Sequence, residues 1–189
     1  MSDLQLRRSS VVLKPRVIVV MGVSGSGKST TGRKLAQSLG WPFRDADTFH
    51  PPANIEKMAG GQPLNDEDRA PWLAAIAAWI DEHRSAGTHA VVSCSALKRR
   101  YRDVLIGSRP DVGLVYLKGG FALIADRMGR RKGHFMPPAL LKSQFEALEE
   151  PFGDEAALVV SIRFPPKRVV ERIVEGFALT PARIIPSGM

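Results

Sequence analysis

Gly22-Val23-Ser24-Gly25-Ser26-Gly27-Lys28-Ser29 is the stretch that decides the fold. It has the G-x-x-x-x-G-K-S spacing of a phosphate-binding loop, and it lies between an apolar run at 17–20 and a helix-like segment at 30–39. Glycines let consecutive backbone N–H groups face phosphate oxygens, and the positive end of the following helix adds to that anion site. Lys28 is expected to reach the β- and γ-phosphates and the Ser29 hydroxyl to bind Mg²⁺. The stretch therefore predicts a site for ATP and Mg²⁺.

The predicted contacts to the ATP phosphates come from this loop and from the first residue of the helix behind it. They are Gly22, Ser24, Gly25, Ser26, Gly27, Lys28, Ser29 and Thr30. A loop of this kind binds a nucleotide without specifying which molecule receives the terminal phosphate, so the acceptor has to be inferred from other parts of the chain.

Apolar, strand-like runs alternate with helix-like segments along the whole sequence. Five such runs are predicted as strands: 17–20, one ending near 43, 90–92, 114–117 and 158–162. Alternation of this kind predicts the α/β class, here a single domain with a parallel five-stranded sheet covered by helices on both faces. We expect the domain to occupy 16–179, with an N-terminal extension at 1–15 and an irregular tail at 180–189.

Composition limits the class of protein. The 189 residues are 44% hydrophobic and 24% charged, which is typical of one globular domain. The single cysteine, Cys94, excludes an intramolecular disulfide, and the apolar run at 17–20 is too short to span a membrane, so we expect a soluble cytoplasmic protein with no membrane partner. The net charge of +8 fits either polyanionic small ligands or a nucleic acid. Because no long basic run is interleaved with aromatic residues, no nucleic-acid partner is expected.

Two carboxylates, Asp45 and Asp47, follow the predicted second strand. At that position both can face the phosphate loop, so one can hold Mg²⁺ through water while the other takes the proton of an attacking hydroxyl. We assign the metal role to Asp45 and the base role to Asp47, and the opposite assignment stays open.

Several long motifs resemble those of the P-loop gluconokinases, a branch of the shikimate-kinase-like small-molecule kinases. The matching segments are Asp45-Ala46-Asp47-Thr48-Phe49-His50-Pro51, Asn54-Ile55-Glu56-Lys57-Met58, Pro63-Leu64-Asn65-Asp66-Glu67-Asp68-Arg69, Ser93-Cys94-Ser95-Ala96-Leu97-Lys98 and Arg131-Lys132-Gly133-His134-Phe135. The resemblance covers about 17–177 and implies that the α/β domain has a single-domain P-loop kinase fold. It implies transfer of the γ-phosphoryl group of ATP to the 6-hydroxyl of D-gluconate, and it implies a homodimer.

Gluconate is a polyol that carries a carboxylate, so its site needs cations and hydroxyl partners. With the resemblance, the predicted substrate-binding residues are Asp47, His50, Lys57, Lys98, Arg102, His134 and Gln144. A different acceptor, such as shikimate or another sugar acid, remains an alternative, as does a nucleotide-dependent nucleic-acid-binding module.

A basic, glycine-containing segment at 127–138 has the composition of a lid. Arg127 and Arg131 are predicted to contact the ATP phosphates and, with Lys28 and Asp47, to form the catalytic set. From the residues alone, a solvated basic loop is an equal alternative. The resemblance favours the lid.

Overall fold

The computed structural model describes residues 14–130 and 138–182. Its five strands are β1 (Val17–Met21), β2 (Phe43–Asp45), β3 (Ala90–Ser93), β4 (Val112–Lys118) and β5 (Leu158–Ser161). All neighbouring pairs are parallel, and the strand order is β2-β3-β1-β4-β5. The predicted fold, an α/β domain with a parallel five-stranded sheet, is confirmed.

Seven α-helices connect and cover the strands. They are α1 (Lys28–Leu39), α2 (Pro52–Ala59), α3 (Asp66–Ser85), α4 (Arg99–Leu105), α5 (Phe121–Gly129), α6 (Pro138–Ala147) and α7 (Pro166–Gly176). No helix within the described ranges is both long enough and apolar enough to cross a lipid bilayer.

The sheet is buried on both faces, which explains the continuous apolar strands. Side chains of β1 alternate: Ile18 and Val20 join a core with α1 and α7, whereas Val17 and Val19 join a second core with α3 and α4. Central β1 therefore places the loop that follows it at the middle of the carboxyl edge of the sheet, where parallel α/β proteins bind ligands.

Three short elements were not predicted from the sequence: a 3-10 turn at Gly153–Glu155 before β5, and two that follow β2. A 3-10 turn at Ala46–Phe49 and helix α2 follow β2 directly. Both are too short to show a clear hydrophobic period, but Pro52 at the first position of α2 is a start signal that the sequence did offer. Helix α1 also begins at Lys28, two residues before the predicted start. The Lys-Ser pair of the loop is therefore already helical.

Candidate active site

The phosphate loop has the backbone conformation that its glycines predict. Gly25 and Gly27 have φ values of 78° and 91°, and Gly27 is the N-cap of α1. A β-carbon at Gly25 would lie 2.7 Å from Met128 and 2.9 Å from Ile124, so a side chain there is excluded by packing as well as by backbone strain. The loop thus presents its N–H groups at the positive end of a twelve-residue helix.

Lys28 lies folded against its own loop. Its Nζ donates a hydrogen bond to the Val23 carbonyl oxygen at 3.0 Å. Burial lowers the pKa of Lys28, while the carboxylates of Asp47 and Asp45 act in the opposite direction. The hydrogen bond places the ammonium group against the phosphate loop, and Asp47 and Asp45 lie near enough to act on its pKa.

The predicted metal residues, Ser29 and Asp45, are in direct contact. Ser29 Oγ donates to Asp45 Oδ2 at 2.5 Å, and Asp45 Oδ1 accepts from the Asp47 N–H at 3.2 Å. Hydroxyl and carboxylate oxygens are the hard donors that suit Mg²⁺. Among the described residues no three His, Cys, Asp or Glu side chains group as metal ligands, so an ion here would depend also on water and phosphate oxygens.

Asp47 differs from Asp45 in its surroundings. Its side chain is exposed and, within the described part of the chain, its carboxylate accepts no hydrogen bond. Asp45, in contrast, uses both carboxylate oxygens and caps the turn that carries Asp47. The geometry therefore favours Asp45 on the metal side and leaves Asp47 available to an acceptor.

A cavity of about 320 Å³ lies on the opposite side of the phosphate loop from Asp47. Arg127 lines the cavity and donates to the Ile162 carbonyl oxygen. Phe164 also lines it, and the guanidinium carbon of Arg172 lies 3.9 Å from the centre of the Phe164 ring. Its mixed aromatic and basic lining suits the base and ribose of a nucleotide. Sequence reasoning did not find Phe164, because an isolated aromatic residue before a proline carries no motif.

Helix α2 and the start of α3 lie near Asp47, and we call this part of the site the acceptor side. His50 precedes α2, whereas Asn54 and Lys57 lie on it, about one turn apart. His50 stacks on Trp72 with ring centres 4.6 Å apart, and Asn54 donates to the Asp68 carbonyl oxygen at 2.8 Å. Lys57 Nζ lies 2.6 Å from Asp68 Oδ2. Through these contacts with Asp68, the sequence motif at 54–58 packs against the motif at 63–69.

His50 is one of the residues that the sequence predicts to bind substrate. Burial lowers its pKa, with Asp47 acting in the opposite direction and Arg69 adding to the lowering. His50 is consequently a neutral hydrogen-bonding group near pH 7 rather than a cation.

Lys98 reaches the first turn of α3 from the other side. Its Nζ lies 3.3 Å from Asp66 Oδ1, and Arg100 and the hydroxyl of Tyr101 contact the same carboxylate. Lys57 and Lys98 therefore both lie beside the acceptor side, each already paired with a carboxylate.

Arg69 is an acceptor-side cation that has no carboxylate partner among the described residues. It was named from the sequence only within a motif. It lies beside the ring of Tyr101, 5.9 Å from the ring centre, and close enough to His50 to lower its pKa. Among the described residues no carboxylate lies within ion-pair distance of Arg69. Its position one residue after the Asp66–Asp68 acidic run made it resemble an ordinary helix charge.

Gln144, predicted to bind substrate, contacts the phosphate loop. Its Oε1 accepts the N–H of Ser24 at 2.6 Å, so α6 places an amide between the loop and the acceptor side. Arg131 and His134, and most of the predicted lid, lie outside the described residues.

One predicted substrate residue, Arg102, is corrected by the structure. Its side chain is 2% exposed and pairs with Glu155, which is itself 8% exposed. Arg102 also donates to the carbonyl oxygens of Ala96 and Leu97, at 3.1 and 3.0 Å. With its donors engaged inside the protein, it is not available to a ligand; the sequence could not distinguish this from the neighbouring exposed Arg99 and Arg100.

Cys94 takes no part in the chemistry of this site. Burial raises the pKa of its thiol to about 12, so it stays protonated and unreactive at neutral pH.

Comparisons with known proteins show which family the chain resembles. The family model for shikimate kinase matches residues 24–175. A gluconokinase of Gluconobacter oxydans (strain 621H) is 50% identical over 165 residues, which covers 87% of this chain and 93% of that protein. The thermoresistant gluconokinase of Escherichia coli (strain K12) is 46% identical over 160 residues, 84% of this chain and 91% of that protein.

A solved structure of a gluconokinase is also similar to this chain. The crystal structure of a gluconokinase from Sinorhizobium meliloti 1021 aligns with a TM-score of 0.77 at 46% identity, covering 88% of this chain and 93% of that one. The fold and the site thus define a P-loop small-molecule kinase of the shikimate-kinase-like class. Within that class, the chain belongs to the gluconokinase family.

Proposed function

We propose that this protein transfers the γ-phosphoryl group of ATP to the 6-hydroxyl of D-gluconate, giving 6-phospho-D-gluconate and ADP. One observation carries the proposal. The phosphate loop and the Asp45–Asp47 carboxylates meet through the Ser29–Asp45 hydrogen bond, in a chain that matches gluconokinases over nearly their whole length.

The nucleotide occupies the phosphate loop and the adjoining cavity. Loop N–H groups and Lys28 hold the phosphates, Arg127 flanks them, and Phe164 supports the adenine. Bound Mg²⁺ neutralises charge on the β- and γ-phosphates; Ser29 and Asp45 would hold it, Asp45 through water.

The chemical step needs a positioned hydroxyl and a proton acceptor. The Asp47 carboxylate takes the proton of the 6-hydroxyl while that oxygen bonds to the γ-phosphorus, and the bond from the γ-phosphorus to the oxygen bridging to the β-phosphate breaks. Gln144 orients the acceptor beside the loop, having exchanged its contact with the Ser24 N–H for one with substrate. No covalent intermediate on the protein is required.

The acceptor carboxylate binds on the α2–α3 side. Arg69 offers a guanidinium that donates to the Tyr101 hydroxyl oxygen at 3.4 Å and has no carboxylate partner among the described residues, with Lys57 and Lys98 adding positive potential and His50 a neutral hydrogen bond. Arg131 and His134 are proposed to complete the site from a lid that excludes water. The working form is proposed to be a cytoplasmic homodimer.

The test is ADP release measured with MgATP against a panel of acceptors: D-gluconate, other sugar acids, shikimate and an uncharged polyol. We expect turnover that depends on gluconate and exceeds that with each other acceptor. ADP release with gluconate that is no faster than without acceptor would refute the proposal, and a preference for shikimate would reassign the substrate within the same class.

A further inference from the structure

The connection between β3 and α4, residues 94–98, touches both halves of the candidate site. At its start the Ser95 carbonyl oxygen accepts the N–H of Gly22, the first glycine of the phosphate loop, at 3.4 Å. At its end Lys98 is the N-cap of α4 and faces Asp66 on the acceptor side. A shift of this connection would therefore displace an acceptor-side cation.

This connection has a strained backbone. Ala96 has φ +44°, in the left-handed region that residues with a β-carbon rarely adopt, and it is 1% exposed. Such a conformation persists only where the surroundings enforce it. The groups that hold Ala96 in this conformation therefore also hold the 94–98 connection in place.

Arg102 contacts this backbone directly, as does the Glu149 N–H, which donates to the Leu97 carbonyl oxygen at 2.9 Å. One nitrogen of the Arg102 guanidinium donates to the carbonyl oxygens of both Ala96 and Leu97. The other two nitrogens donate to the two carboxylate oxygens of Glu155. Glu155 in turn accepts the Phe152 N–H at 3.3 Å, which fixes it to the loop before β5. The buried pair thereby ties the 94–98 connection to a different part of the domain.

A buried ion pair is a costly way to join two loops. Desolvation of both charges offsets much of their attraction, and apolar side chains of similar volume often stabilise as well or better. Arginine is needed here because a planar fork can reach two carbonyls and a carboxylate together, which a lysine ammonium cannot reproduce.

We propose that Arg102, held by Glu155, is a positioning residue that fixes the 94–98 connection and thereby places Lys98 for the acceptor. This inference rests on the proposed function for the identity of the acceptor, but the backbone role itself does not depend on it. Because its donors are engaged within the protein, Arg102 is a positioning residue and not one that binds substrate or nucleotide.

The chain offers a control with the same pattern of contacts at a more exposed pair, whose side chains are 19% and 41% exposed against 2% and 8% for Arg102 and Glu155. Arg109 also forms a two-point pair with a carboxylate, Asp81, at 2.7 and 2.6 Å, and also donates to a backbone carbonyl, that of Val104, at 2.9 Å. It has no contact with 94–98. Arg102→Lys and Arg109→Lys therefore remove similar interactions, and only the first loosens the connection.

Two measurements test the proposal. In hydrogen exchange of the ligand-free protein, Arg102→Lys is expected to speed exchange at the amides of 95–98, and Arg109→Lys is not. In steady-state kinetics, Arg102→Lys is expected to raise the KM for gluconate about tenfold or more, with the KM for MgATP within about twofold of wild type. Glu155→Asp, which withdraws the carboxylate by one methylene, should shift both readouts in the same direction and serves if Arg102→Lys does not fold.

Unchanged exchange at 95–98 in both Arg102→Lys and Glu155→Asp would overturn the inference, as would an equal rise in gluconate KM in Arg109→Lys. If the wild-type protein does not turn over gluconate, the proposed function fails, and the exchange measurement still decides the role of Arg102.

Discussion

At the scale of single residues, the two carboxylates after β2 have separable roles. Asp45 uses one oxygen for Ser29 and the other to cap the turn, whereas the Asp47 carboxylate is exposed and accepts no hydrogen bond from the described residues. We expect Asp47→Asn to lower kcat by about 100-fold, because the loss of a general base typically costs 10²–10⁴. ATP binding, measured by calorimetry, should change by less than about threefold, since the amide keeps the shape of the carboxylate.

Asp45→Asn is the matched comparison. It should raise the concentration of Mg²⁺ needed for half-maximal rate, because a neutral amide is a weaker partner for the ion and its water. If instead Asp47→Asn shifts the Mg²⁺ requirement and Asp45→Asn does not, the two assignments are exchanged, an alternative that the sequence left open.

Arg69 gives a second residue-scale prediction. Among acceptor-side cations it has no carboxylate within ion-pair distance in the described structure, so its charge is available to an acidic ligand. Arg69→Gln is expected to raise the KM for gluconate by about tenfold or more, the order of one charge-assisted, two-point hydrogen bond. The KM for MgATP should stay near that of wild type.

Arg33→Gln provides the control for Arg69. Arg33 lies beside the ring of Phe43, 5.5 Å from its centre, as Arg69 lies beside Tyr101, but it is on α1, away from the acceptor side. Equal effects of the two substitutions on gluconate KM would argue that only net charge matters and would remove Arg69 from the site.

At the scale of elements, the start of α3 stabilises both the fold and the acceptor side. Asn65 accepts the Asp68 N–H and Asp68 accepts the Asn65 N–H, both at 2.8 Å, which is a reciprocal capping box. Asn65→Ala should lower the free energy of unfolding by about 1 kcal/mol, measured by urea denaturation. Asn65→Asp, another good N-cap, should lose much less; a loss as large as that of alanine would mean that the cap is not the cause.

Elements with a strong local signal could be predicted, and weak ones could not. The apolar β1, β3 and β4 and the acidic N-terminus of α3 follow directly from their residues. Helix α2 has eight residues with only Asn54 buried, so no apolar stripe marks it. The burial of Arg102 is also invisible locally, because its partner Glu155 lies 53 residues further along the chain.

At the scale of the whole molecule, nucleotide binding should stabilise the folded chain. A ligand at 100 times its Kd adds about 2.7 kcal/mol to the free energy of unfolding, which for a domain of this size corresponds to roughly 5–10 °C in Tm. We expect this shift with MgADP, and we expect Lys28→Ala to lose most of it. Lys34→Ala, exposed on the same helix, should keep it; an undiminished shift in Lys28→Ala would remove Lys28 from the phosphate site.

The order of elements and the position of the phosphate loop could be predicted, because each depends on a pattern that is contiguous in sequence. The acceptor side was predictable only through the family resemblance, since Asp47, Arg69 and Gln144 come from three separate segments that the fold brings to one edge. Spacing along the chain carries no information on such distances. That is why Arg69 was missed and Arg102 misassigned.

The position of the transferred phosphate tests the central claim most directly. After incubation with MgATP and gluconate, the proton-coupled ³¹P spectrum of the product should show a monoester resonance split into a triplet by the two hydrogens of carbon 6. A doublet would place the phosphate on a secondary hydroxyl. No new phosphate ester would contradict gluconate as the acceptor altogether.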